Sequence, residues 1–119
     1  EDWFALADLT VLPSFYEGLP LVAVESLAAG RAVVATSVDG TPEVVVDGRT
    51  GLTLPPRDPV RLAEAICRML ADAEFRRRLA EQGRQGVRER FSQKRQIERT
   101  EELYVTLWER RAGRSGGGA

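Results

Sequence analysis

Apolar positions in the first half of the chain fall in short, unbroken runs. Leu9–Ser14, "LTVLPS", is rich in strand formers and is cut off by Pro13, which has no N–H to give to a ladder. Arg31–Val38, "RAVVATSV", is apolar at successive rather than alternate positions, the pattern of a strand covered on both faces. Between them, helical spacing opens at Pro20, a residue suited to a first helical position, and stops at Gly30. Strand, helix and strand with short links predict a βαβ unit: a parallel pair joined by a right-handed crossover. On that helix Leu21, Val24, Leu27 and Ala28 share one face, and Glu25 falls on its flank beside Val22, Ser26 and Ala29.

Downstream, Thr41 reads as the cap of a short helix, with Pro42 in its first turn and Glu43 near its positive end. Asp47-Gly48 marks a turn, and "TGLTLPP" a third short strand. The pattern then turns helical. Asp58 caps and Pro59 starts a helix whose apolar face is Leu62, Ile66, Met69 and Leu70, with Glu64 and Arg68 spaced as an i,i+4 pair on the other side. A second helix covers about Glu74–Arg90 with Phe75, Leu79 and Val87 inward, and Gly83 and Gly86 predict a kink or break in it. A third starts near Ser92 and carries Ile97, Leu103, Tyr104, Leu107 and Trp108. The closing "GRSGGGA", residues 113–119, reads as a flexible tail. Alternating β and α followed by helices is an α/β fold. Three short strands make a thin sheet for such a fold, so further strands are expected upstream, and the opening "EDWFALADLTVLPS" reads like the middle of a longer protein.

Composition narrows the chemistry. At 119 residues, 43% hydrophobic and 29% charged, the chain suits one domain with a buried core. A net charge of −1 lacks the basic excess of a dedicated nucleic-acid binder. No apolar run reaches the roughly 18 residues of a membrane span. With no histidine, Ser-His-Asp triads, Cys-His pairs and histidine metal sites are excluded within this chain, and its one cysteine, Cys67, excludes an internal disulfide. Cys67 lies beside the inward face of its helix and reads as packing. What remains is carboxylates, hydroxyls, arginines and backbone amides.

Those groups meet in "SFYEGLPLVAVE". The loop follows a parallel strand, at the edge where open α/β sheets bind ligands, and leads into a helix amino terminus suited to a phosphate. Gly18 lets a ligand come close to the backbone. Each feature also has a plain reading: an ordinary βα turn, an exposed loop acid at Glu17, and a solvent-facing acid at Glu25. The alternative for Glu25 is a carboxylate that accepts two hydroxyls of a ligand such as a ribose. Arginines at 76–78 and between 84 and 95 read as a solvated helix face, with a membrane-surface role as the alternative.

The stretch from Ala7 to Arg90 resembles the carboxyl-terminal domain of GT-B glycosyltransferases of the large retaining group, family 4 of the glycosyltransferases. The ordered series carries the resemblance: "PS", then "EGLPL", then "ESLAAGRAVVAT", "G-T-P-E" and "DGRTG", with Glu17 and Glu25 forming an E-x7-E pair. It implies a Rossmann-like parallel sheet with flanking helices, as part of a nucleotide-sugar-binding domain over residues 1–112. It implies a donor site of Glu17, Gly18, Leu19, Leu21, Val22 and Glu25. Glu17 would meet the donor sugar near its reacting carbon, Glu25 the ribose, and the backbone amides the diphosphate. It implies retention of configuration, no metal, no cofactor beyond the nucleoside-diphosphate sugar, and an acceptor of glycan, lipid-linked or small-molecule type. The acceptor domain and a basic pair facing the diphosphate would lie upstream, and this stretch alone would turn over nothing. A cytoplasmic location is expected, with peripheral contact at the inner membrane face left open. Pro20 and Asp39 stand where the family more often has glycine. A GT-B-like sugar-nucleotide epimerase and a non-catalytic α/β nucleotide-binding module are the alternatives.

Overall fold

A computed structural model describes residues 2–115. The chain divides into two compact units, Glu1–Arg88 and Glu89–Ala119. The first holds α1 (Asp2–Leu6), β1 (Leu9–Leu12), α2 (Leu21–Ala28), β2 (Ala32–Thr36), α3 (Thr41–Val44), β3 (Leu52–Leu54), α4 (Pro59–Ala71) and most of α5 (Ala73–Arg90). The second holds the end of α5 and α6 (Gln93–Ser115).

The three strands lie in the order β1-β2-β3, all parallel, with Leu9 opposite Ala32 and Val34 opposite Leu52. This is the expected α/β sheet with its helical second half. All five residues of β2 are buried, as its unbroken apolar run predicts, because α2 contacts it and so does α4. β1, paired on one side only, is half-buried throughout.

Strand alternation sorts the core into two layers. Leu9, Ala32, Val34, Leu52 and Leu54 pack with Leu62, Ala65, Ile66 and Met69 of α4 and with Phe75, Leu79 and Ala80 of α5. On the other face, α2 seats Ala23 and Leu27, both fully buried, and the Ser26 hydroxyl donates to the Thr10 hydroxyl at 2.8 Å. Burying Leu27, Met69 or Leu79 stabilises the fold by roughly 1.5–3 kcal/mol each.

Several local expectations are corrected. α1 was not foreseen. Pro20 is the N-cap of α2 rather than its first residue. The buried face of α2 is Ala23, Ser26 and Leu27; Leu21 and Ala28 are exposed. A buried serine joins that face because Thr10 satisfies it. Gly40, not Thr41, caps α3, and Thr41 is buried inside it. α5 runs unbroken past Gly83 and Gly86, and Gly83 is buried where a Cβ would meet Leu27 Cδ2. That glycine serves close packing rather than a break. Leu70 is exposed, and so is Cys67. Arg68 stacks on the Phe75 ring at 4.5 Å instead of reaching Glu64. Arg76 is half-buried and donates to the carbonyls of Met69 and Leu70, which tie off the end of α4. α6 continues through residues 113–115, the start of the expected tail, and residues 116–119 lie outside the described residues. No helix among the described residues is long and apolar enough to cross a membrane.

Candidate functional site

Three loops leave the carboxyl edge of the sheet: residues 13–20 after β1, 37–40 after β2 and 55–58 after β3. The first carries Glu17, and neighbours hold it by several bonds. The Thr36 hydroxyl of β2 donates to the Ser14 carbonyl. The Ser14 hydroxyl donates to Glu17 Oε1 at 2.9 Å. The Glu17 N–H donates to Asp39 Oδ2 at 3.0 Å, across 22 residues of sequence. Gly40 sits so close that a Cβ on it would overlap the Gly18 carbonyl, so the second loop accepts only glycine there.

α2 starts directly behind this loop. The N–H groups of Ala23 and Val24 both reach the Pro20 carbonyl, at 2.9 and 3.2 Å. The N–H groups of Gly18, Leu19, Leu21 and Val22 meet no acceptor among the described residues, and all four residues are exposed. Leaving the first amides of a helix unpaired is what an uncapped amino terminus does. Pro20 has no capping side chain, and no acid stands in the first turn, so nothing in the helix itself offsets its positive end. Gly18 is open as well: a Cβ on it would meet nothing within 4 Å, and its φ is not left-handed. The protein's own packing therefore makes no demand for glycine at that position.

Glu25 is the fifth residue of α2, about 6 Å along the helix axis from Leu21 at 1.5 Å per residue. It is exposed, and its carboxylate has no hydrogen-bond or ion-pair partner among the described residues. With Phe4, Ala28 and Ala29 it lines a depression of about 480 Å³. Glu43, on α3, is exposed too. Of the six residues singled out in the sequence, five are thus gathered at the β1–α2 turn, and Glu25 stands one turn down the same helix. Among the described residues, no three acidic, cysteine or histidine side chains are grouped to hold a metal ion.

Sequence reasoning missed the groups that hold the loop. Asp39 entered only as a departure from glycine, although Asp-Gly is a turn signal. Arg57, whose guanidinium lies 5.7 Å from the centre of the Phe15 ring, gave no signal, because the contact joins residues 42 positions apart.

Residues 1–72 match the family model described as glycosyl transferases group 1. Alpha-maltose-1-phosphate synthase from Mycolicibacterium smegmatis is 41% identical over 104 residues, 82% of this chain and 27% of that protein. Among solved structures, sucrose-phosphate synthase from Thermosynechococcus elongatus superposes with a TM-score of 0.84 at 37% identity, over 90% of this chain and 27% of that one. Anabaena HepE in complex with UDP superposes with a TM-score of 0.78 at 25% identity, over 90% of this chain and 29% of that one. The chain thus spans about a quarter of the length of these relatives.

Proposed function

The chain belongs to the glycosyl transferases group 1 family, and from that premise we propose that it supplies the donor half of a nucleotide-sugar site in a larger, retaining GT-B enzyme. The observation that carries this is the set of unpaired amides of four exposed residues, Gly18, Leu19, Leu21 and Val22, flanked by the carboxylates of Glu17 and Glu25. Such amides at a positive helix end suit a diphosphate. The UDP held by HepE, a fold relative, agrees with a nucleotide ligand.

Each group then has one task. The Leu21 and Val22 amides, with those of Gly18 and Leu19, take the diphosphate oxygens. A side chain at position 18 would stand between ligand and backbone, which explains a glycine that packing does not require. Glu25 accepts hydroxyls of the ribose. Glu17, already held at one carboxylate oxygen by Ser14, turns its other oxygen to the donor sugar near the reacting carbon. As the bond from that carbon to the diphosphate breaks, negative charge grows on the leaving phosphate. Preorganised amides stabilise it there without having to reorient. The remaining contribution is holding donor and acceptor hydroxyl together. Residues 1–112 would be part of a carboxyl-terminal donor domain of family 4 type, with the acceptor domain elsewhere in the full-length protein. The reading calls for no metal and no covalent nucleophile on this chain.

Saturation-transfer NMR of the full-length protein with UDP, GDP and ADP tests the reading. At least one nucleotide should show transfer to its ribose protons, and Glu25→Ala should abolish it. No transfer from any of the three, or transfer unchanged in Glu25→Ala, overturns it.

A further inference from the structure

Among the described residues, two that are not glycine adopt a left-handed backbone: Asp39, with φ of 42°, and Arg57, with φ of 63°. Aspartate tolerates that region better than most residues, and arginine has no such excuse. Glycine would take both positions without strain. The two residues leave different strands, Asp39 after β2 and Arg57 after β3. Yet both close on one target, the Ser14–Gly18 loop. Asp39 accepts the Glu17 N–H at 3.0 Å. Arg57 lays its guanidinium over Phe15, two residues before Glu17, at 5.7 Å from the ring centre. Neither side chain has an ion-pair partner among the described residues.

Strain of this kind is retained where the surroundings over-determine a conformation, and it concentrates at functional sites. We propose that Asp39 and Arg57 are positioning residues, which brace the Ser14–Gly18 loop from two sides and fix Glu17 and the Gly18 and Leu19 amides for the donor. The proposal rests on the donor-site reading above. Asp39 acts through a hydrogen bond to the backbone of Glu17. Arg57 acts through a cation–π contact, which orients the loop through Phe15. Half-exposed Phe15, 56% accessible, offers that ring face because it is not part of the core.

Glycine substitution separates bracing from plain stability, since it relieves backbone strain while deleting the contact. In the full-length protein, Asp39→Gly and Arg57→Gly should melt no lower than wild type. Amide hydrogen exchange in the peptide covering Ser14–Gly18 should quicken about tenfold in Asp39→Gly and return to wild type in Asp39→Asn, whose amide oxygen can still accept the Glu17 N–H. Affinity for whichever of UDP, GDP or ADP the wild type binds should fall about tenfold in Asp39→Gly and about threefold in Arg57→Gly. Phe15→Ala should match Arg57→Gly, and the double variant should lose no more than either one. Unchanged loop exchange in both glycine variants overturns the proposal, as does faster exchange with unchanged affinity. A wild type that binds none of the three nucleotides defeats the donor-site reading instead, and the exchange result still decides whether the brace exists.

Discussion

At Gly18 and Gly40 the same residue type answers different demands. Gly40 is required by the protein, because a Cβ there would overlap the Gly18 carbonyl. Gly40→Ala should therefore cost about 1–3 kcal/mol in chemical denaturation of the full-length protein. Gly18 has free space around it and an ordinary φ, so Gly18→Ala should leave the denaturation midpoint within about 0.5 kcal/mol of wild type. Calorimetric titration with the nucleotide should instead show weakened binding, because the methyl group would face the ligand. The two carboxylates were legible in the sequence because their spacing, framed by "PS" and "ESLAAG", is local. The bonds that aim Glu17 were not. Asp39 reaches Glu17 and Thr36 reaches Ser14, each across 22 residues through a parallel pairing, and no local pattern encodes that.

At the scale of elements, the sheet and its helices followed from apolar runs and breakers. β2 shows why: five buried residues in a row leave no other stable placement than a central strand. α2 shows the limit. Its spacing put Leu21 inward and left Ser26 on the flank, whereas Ser26 is buried on Thr10 and Leu21 is 63% exposed. Helical periodicity fixes an angle between residues but not which stripe turns inward when almost every position is apolar. α4 is less ambiguous, since polar residues mark its outer side. Met69, fully buried between β-strands and α5, should cost about 2–5 kcal/mol on truncation to alanine. The Asp58 carboxylate accepts the Arg61 N–H at 3.0 Å, so Asp58→Ala should cost about 1 kcal/mol. Both are read from thermal or denaturant unfolding of the full-length protein. α5 stays continuous through Gly83, which buries itself against Leu27, a long-range contact that outweighs its poor helix propensity.

For the whole molecule, the family match places this chain among group 1 glycosyltransferases, while its length is about a quarter of its relatives'. The donor site we propose accordingly draws on one edge of a sheet whose β1 strand is paired on one side only. Because diphosphate contact falls to backbone amides in this reading, EDTA should leave nucleotide affinity of the full-length protein unchanged. A loss of binding on chelation, restored by a divalent cation, would show that the amides do not suffice. The most direct test is a crystal structure of the full-length protein with the nucleotide that binds it. The account predicts phosphate oxygens within about 3.2 Å of the Leu21 and Val22 nitrogens and the ribose hydroxyls on the Glu25 carboxylate. A nucleotide seated elsewhere, with those amides facing only water, would contradict it.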